Sequence, residues 1–210
     1  YFFSLAAKQN DSIALRLIGE IYFDGIYIKR DINKGIYYYT LASNQDNSYA
    51  QFQLGLIYYK GEFVPQNIAK SIHYFTLSAN HNERYAQLYL GLIYLLDENV
   101  KQDIEKSIRF FTLSANQNHP VSQYVLGFLY FTGLYIQQNI YKGIDYIMQS
   151  SNNGFDYANF FLGFQYHEGK YLKRDIQKSI HFYKEASSFN NAHAKNNLGI
   201  IYKNGFGDEV

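Results

Sequence analysis

The chain has 210 residues, of which 47% are hydrophobic and 18% charged, and this balance excludes an intrinsically disordered polymer. The formal net charge of +1 and the absence of any basic run give no electrostatic footprint for nucleic acid or an anionic membrane. No cysteine is present, which excludes disulfides and cysteine-based metal or redox chemistry and favours a cytoplasmic location. No apolar run is long enough for a membrane span.

Glycine and tyrosine recur along the chain with a strict period of 36 residues. Six glycines stand at this interval, and a tyrosine follows each one three residues later: Gly19, Gly55, Gly91, Gly127, Gly163 and Gly199, with Tyr22, Tyr58, Tyr94, Tyr130, Tyr166 and Tyr202. The period predicts a single repeat domain over 1–210, because self-similarity at this spacing is typical of stacked repeats. The predicted domain is divided into a partial repeat 1–11, complete repeats at 12–47, 48–83, 84–119, 120–155 and 156–191, and a partial repeat 192–210. Tyr1–Ala7 matches Tyr37–Ser43, so we expect an excerpt of a longer array.

Each repeat is predicted to contain two helices, A and B. In the second complete repeat, helix A spans Ser48–Lys60, Gly61 ends it in the left-handed conformation, and a short loop carries the apolar Val64. Helix B follows a residue with N-cap character and carries an apolar stripe, which in this repeat is Ile68, Ile72, Phe75 and Ala79. The N-cap residues of the five copies are Asp31, Asn67, Asp103, Asn139 and Asp175.

Three positions depart from a simple amphipathic pattern. A glycine inside helix A costs about 1 kcal/mol relative to alanine, so its recurrence at Gly55 and its equivalents predicts a neighbouring helix packed where no Cβ stands. Asp97 replaces the capping glycine of the third copy, and Asp208 occupies the apolar loop column of the last. We therefore expect these two loops to differ from the others.

The repeat pattern resembles the Sel-1-like repeat of the tetratricopeptide-like superfamily. It reads A-x3-LG-x2-Y-x2-G, then an apolar loop residue, then D/N-x2-K-x-I, as in "AQFQLGLIYYKG" at 50–61 and "NIAKSI" at 67–72. The resemblance covers essentially the whole chain. It implies an all-α fold, a right-handed α-solenoid of tandem helix-turn-helix repeats with helix A lining the inner curve, and a role as an adaptor or scaffold.

Catalytic and metal-binding patterns are weak in this sequence. His73 and His181 occupy a variable column of helix B, and His167-Glu168 lacks the second histidine that a zinc motif requires. No catalytic residue, cofactor or metal is therefore predicted. A lysine recurs in the first turn of helix B at Lys34, Lys70, Lys106, Lys142 and Lys178. We expect each lysine to lay its stem along the next hairpin and to keep its ammonium group in water.

A second apolar line runs along helix A, on the face opposite its core stripe. A face that met only water would be polar, so these residues are candidates for binding a partner: Phe52, Leu56, Tyr59, Leu88, Leu92, Tyr124, Phe128, Phe131, Phe160, Phe164 and His167. The alternative is that the line packs on adjacent A helices and is mostly hidden.

The sequence favours a non-catalytic protein-interaction scaffold that binds a protein or peptide along the helix-A concave face, with no nucleic acid and no membrane span in this segment. Two alternatives stay open. In the first, the chain is the repeat portion of a larger signalling enzyme, since Sel-1-like repeats can accompany a protein kinase domain. In the second, the uncapped apolar ends of the chain associate with one another.

Overall fold

The structure, a computed structural model, describes residues 11–206. Within that range it contains eleven α-helices and no strand: α1 (Ser12–Asp24), α2 (Ile32–Ser43), α3 (Ser48–Lys60), α4 (Ile68–Asn80), α5 (Arg84–Leu96), α6 (Ile104–Ala115), α7 (Pro120–Thr132), α8 (Ile140–Asn152), α9 (Asp156–Glu168), α10 (Ile176–Ser188) and α11 (Ala192–Lys203). The odd-numbered helices are the predicted A helices and the even-numbered ones the B helices. The helix expected at Tyr1–Ala7 and the loop change expected at Asp208 lie outside the described residues.

The chain divides into two compact units. The N-terminal unit ends at Leu113 and the C-terminal unit begins at Ser114. In the N-terminal unit, α1 packs on α2, α2 on α3, α3 on α4 and α4 on α5; in the C-terminal unit, α7 packs on α8 and the same order continues to α11. Each unit is therefore a row of helical hairpins in which a helix contacts chiefly its neighbours in sequence, as expected for repeat proteins.

Helix B begins where the N-cap pattern predicts. The Oδ1 atoms of Asp31, Asn67, Asp103, Asn139 and Asp175 each accept a hydrogen bond from the backbone N–H three residues later, at 2.9–3.0 Å. Such a bond satisfies one of the N–H groups that the first helical turn leaves without an intrahelical acceptor. A local sequence signal thus sets the start of every B helix.

Helix A ends in the left-handed conformation wherever glycine stands at its C-cap. Gly25, Gly61, Gly133 and Gly169 have φ between 68° and 74°. At the equivalent place Asp97 has φ −75° and ψ 123°, and its carboxylate accepts from the backbone N–H of Asn99 at 2.9 Å. The predicted difference of the third loop is confirmed, because the αL conformation is unfavourable for a residue with a Cβ.

The glycines inside helix A are sites of close packing. A Cβ on Gly55 would lie 2.5 Å from Cδ1 of Phe75, and one on Gly91 would lie 2.7 Å from Cδ1 of Phe111. Comparable contacts occur at Gly19, Gly127 and Gly163, so the predicted close approach is confirmed at these five positions. Gly199 has no atom within 4 Å of that position, since no B helix follows α11 in the described chain.

The core of each unit alternates helix-A leucines with one large helix-B side chain per hairpin. Tyr39 and Phe75 are fully buried with Leu54 and Leu90 in the N-terminal unit. In the C-terminal unit the corresponding buried side chains are Ile147, Leu162, Tyr183 and Leu198. Full burial of such a side chain contributes about 1.5–3 kcal/mol, which makes these contacts the main stabilising term of each hairpin.

Candidate functional site

The predicted helix-A line is unevenly exposed. In the N-terminal unit Phe52, Leu56, Tyr59 and Leu92 are half-buried, and Leu88 is buried, with only 8% of its surface exposed. In the C-terminal unit the half-buried members are Tyr124, Phe131, Phe160 and His167. Phe128 and Phe164 are the most open, with 40% and 44% of their surface exposed.

Tyr89 covers much of the line in the N-terminal unit. Its ring centroid is 6.1 Å from that of Phe52, 5.6 Å from Tyr59 and 5.1 Å from Phe75. Tyr89 belongs to α5, and Phe52 and Tyr59 belong to α3, so these contacts join consecutive A helices. In this unit the line therefore packs on an adjacent A helix, which was the alternative to a free binding surface. Edge and offset ring contacts of this kind add about 0.5–1.5 kcal/mol beyond burial.

The C-terminal unit carries a continuous aromatic strip, which we define as Phe128, Tyr124, Phe155 and Tyr157. Successive ring centroids along it are 6.4, 5.2 and 5.5 Å apart. Phe128 and Tyr157 are exposed at its two ends, and 56% of the Tyr157 surface is open. Burial raises the pKa of the Tyr124 phenol, with Tyr157 and Asp156 adding smaller effects, so this ring stays neutral. The strip therefore links α7 to α9 by neutral aromatic surface.

Two members of the strip are not among the residues predicted from the sequence. Phe155 stands at the N-cap of α9, where it makes no side-chain capping bond. The equivalent A helices begin after polar residues that do cap: Asp11, Asn47, Glu83, His119 and Asn191. A phenylalanine at this position distinguishes the repeat in the sequence, because it lacks the N-cap hydrogen bond, which is worth about 1 kcal/mol.

A small pocket lies beside Phe164, between α9, α10 and α11. It has a volume of about 120 Å³ and is lined by Phe164, His167, Glu168, Tyr183, Asn197 and Ile200. Asn197 Nδ2 donates a hydrogen bond to the Tyr183 hydroxyl at 2.9 Å, and His167 Nδ1 lies 3.1 Å from Glu168 Oε1. We name this the Phe164 pocket.

The electrostatics of the pocket are set by Glu168. Burial raises the pKa of Tyr183 to about 12, and the carboxylate of Glu168 adds to this rise while the bond from Asn197 opposes it. Tyr183 is thus a neutral wall of the pocket. The charge that the pocket offers to a ligand comes from Glu168, whose side chain is about half-exposed at 49%.

The recurring lysines depart from the prediction in the hairpin that they contact, although the side chains of Lys34 and Lys106 are exposed as expected. Each ammonium group lies over the helix-A tyrosine of its own hairpin, not along the next one, with distances to the ring centroid between 4.2 and 5.2 Å: Lys34 over Tyr22, Lys70 over Tyr58, Lys106 over Tyr94, Lys142 over Tyr130 and Lys178 over Tyr166. The N-cap places the lysine at the third helical position, from which its side chain reaches back over helix A. Cation–π attraction is weak at such exposed sites, so these contacts orient the lysines more than they stabilise the fold.

No group of three or more histidine, aspartate or glutamate side chains among residues 11–206 is arranged to hold a metal ion. In the same part of the chain, none of the helices combines the length and apolar character that crossing a membrane requires.

The family model for the Sel1 repeat matches residues 12–47, 48–83, 84–119, 120–155, 156–188 and 192–210. No curated protein matches the chain. Among solved structures, the chain is similar to c5321, a protective antigen present in uropathogenic Escherichia coli strains that displays an SLR fold. The TM-score is 0.86 and the identity 28%, over 96% of this chain and 44% of c5321, so the chain spans less than half of that protein.

Two further structures show the same fold. A Sel1 repeat protein from Oxalobacter formigenes has a TM-score of 0.85 and 28% identity, over 94% of this chain and 81% of its own length. Cysteine-rich protein B from Helicobacter pylori has a TM-score of 0.51 at 18% identity, over 66% of this chain and 99% of its own, and shows likeness of fold alone. The predicted all-α fold of tandem helix-turn-helix repeats is confirmed by these similarities and by the eleven helices of the described residues.

Proposed function

The chain belongs to the Sel1 repeat family, whose members are generally protein-interaction modules, and we propose that it is a non-catalytic scaffold or adaptor that binds a protein or peptide along its helix-A face. The observation that supports this proposal best is the exposure of Phe128 and Phe164 on two consecutive A helices. Tyr157 is exposed as well, so the C-terminal unit leaves these three aromatic side chains of its A helices open to solvent.

Exposed aromatic surface of this kind is suited to binding. Phenylalanine and tyrosine carry a large contact area on only two side-chain torsions, so ordering them on association costs little conformational entropy. Within the aromatic strip, the ring centroid of Tyr124 lies 6.4 Å from that of Phe128 and 5.2 Å from that of Phe155, and these contacts hold the strip in place. A pre-organised surface loses less free energy on binding than a mobile one.

Replacement of both Phe128 and Phe164 by serine tests the proposal. We expect the double variant to lose capture of the partner while its helical circular dichroism is retained, because both side chains are already open to solvent. The change in the free energy of unfolding should stay below about 2 kcal/mol, as is usual for partly exposed positions. The measurement is quantitative mass spectrometry of proteins retained by the immobilised chain from an extract of the cells that express it.

The matched control is Tyr141→Ser, which removes an aromatic side chain that is 86% exposed on α8, a B helix. Capture should be the same for this variant as for the unchanged protein. Equal capture by the Phe128 and Phe164 double variant would contradict binding on the helix-A face. A loss of helical structure in the double variant would instead identify the two residues as part of the core.

A further inference from the structure

The size of the Phe164 pocket limits what can enter it. Sites for small molecules and cofactors usually have volumes of about 300–1,000 Å³, whereas this pocket has about 120 Å³. A single side chain of a docked peptide fits such a space better than a free ligand does. Phe164, Tyr183 and Ile200 provide apolar walls, and the half-exposed carboxylate of Glu168 stands at the opening.

The A helices that carry the aromatic strip contribute negative charge. The two A helices that carry the strip, α7 and α9, contain the carboxylates Asp156 and Glu168 and no lysine or arginine. The cations of the fifth repeat lie in its loop and on helix B: Lys170, Lys173, Arg174, Lys178 and Lys184. On α11 the nearest cation in sequence to Ile200 is Lys203, at the last residue of the helix. Among the residues that line the Phe164 pocket, Glu168 is an acid and none is a lysine or arginine.

The position of Glu168 is unfavourable for folding. It is the last residue of α9, where the partial negative charge of the helix terminus repels a carboxylate. The same column holds Asp24, Lys60, Leu96, Thr132 and Asn204 in the other copies, so the repeat does not require an acid there. The carboxylate lies 3.1 Å from Nδ1 of the neighbouring His167.

We propose that the Phe164 pocket receives an arginine or lysine side chain of a partner peptide whose apolar residues lie on the aromatic strip; this inference rests on the proposed binding along the helix-A face. Arginine and lysine combine an apolar stem with a charged end, which matches apolar walls closed by one carboxylate. A guanidinium also stacks on an aromatic ring and binds a carboxylate through two donors, so arginine is favoured over lysine. The partner is thus a basic, apolar peptide segment.

Fluorescence anisotropy with defined peptides tests this inference on the whole chain. The probe is a labelled peptide of four Leu-Arg-Ala units, and its comparison peptide carries citrulline, a neutral isostere, in place of each arginine. We expect the arginine peptide to bind more tightly by about three- to tenfold at physiological ionic strength, the range expected for a partly screened charge pair. Glu168→Gln should remove most of this difference and leave the melting temperature unchanged or slightly raised.

The matched control is Glu185→Gln, which removes the same charge from an exposed position on α10. This variant should keep the preference for the arginine peptide. Equal affinity for the two peptides, no effect of Glu168→Gln, or no binding of the arginine peptide would each overturn the basic-peptide inference. If both peptides bind equally and Phe164→Ser abolishes both, the proposed function stands and only the inference about charge fails.

Discussion

At the scale of single residues, the contact between Gly55 and Phe75 shows how the hairpin closes. The ring of Phe75 occupies the space that a Cβ on Gly55 would need, and Ser71 Oγ donates a hydrogen bond to the Gly55 carbonyl at 3.0 Å. The same serine bond recurs from Ser107 to Gly91 and from Ser179 to Gly163, at 2.8 Å in both. The close approach of helix B to helix A at this glycine therefore permits both ring packing and a buried hydrogen bond. These two contacts offset the low helix propensity of glycine.

Gly55→Ala is expected to lower the free energy of unfolding by about 1–3 kcal/mol, the usual cost of forcing an extra methyl group into a packed core. Chemical denaturation followed by circular dichroism measures the change. Gly199→Ala is the matched control, because nothing lies within 4 Å of its Cβ position. It should be neutral or stabilise the chain by up to about 1 kcal/mol through helix propensity. Equal destabilisation by both substitutions would argue against ring packing as the reason for glycine.

At the scale of the helices, two adjacent side chains at the C-terminal end of the loop define the hairpin. The N-cap fixes the start of helix B, and the residue just before it reaches back to the end of helix A. Arg30 Nε, Gln66 Nε2, Gln102 Nε2 and Gln138 Nε2 donate to the backbone carbonyl seven residues earlier, at 2.7–2.9 Å. These bonds satisfy carbonyl groups that a helix terminus leaves free, including in the third hairpin, where the glycine cap is missing.

Asn67→Ala is expected to destabilise the chain by about 1 kcal/mol, since it removes the acceptor of the Lys70 backbone N–H at 2.9 Å. Thermal unfolding measures the effect. Asn80→Ala, at the exposed last residue of the same helix α4, removes an identical side chain and should change stability by less than about 0.5 kcal/mol. If the two substitutions had the same effect, the N-cap bond would not contribute to stability.

At the scale of the whole molecule, the contacts within each unit join consecutive hairpins. In the N-terminal unit the core clusters bring together Leu15 and Leu54 around Tyr39, and Ala86 and Leu90 around Phe75. Stability in such proteins is approximately a sum of terms from each repeat and from the surfaces between neighbours. A short run of hairpins should therefore fold without the rest of the chain.

The fragment 11–115, which contains the three hairpins α1 to α6, is expected to be helical and to unfold cooperatively. The single hairpin 47–82 should be largely unfolded, because one repeat cannot bury its apolar faces and about three are needed. Far-ultraviolet circular dichroism and thermal melting compare the two fragments. A fragment 11–115 without helical structure would contradict the view that each hairpin depends only on its neighbours.

Much of the fold could be read from local patterns. The helix starts at Asp31 and Asn67, the left-handed ends at Gly25 and Gly61, and the altered turn at Asp97 all depend on residues within a few positions along the chain. Such features follow from backbone geometry and short-range hydrogen bonds. The period of 36 residues then predicts the same hairpin in every copy.

Local sequence patterns could not predict which residues of the helix-A line are exposed. Phe52 and Phe128 are apolar residues of the same line in the sequence, yet the first is half-buried against Tyr89 and the second is open. The lysines likewise reach their own tyrosines, a contact that no spacing rule predicted. Helix periodicity depends on neighbours three or four residues away. Burial and ring contacts depend on side chains on other helices, 12 residues away for Lys70 and Tyr58 and 37 for Phe52 and Tyr89, and these are brought together only when the hairpins form and pack.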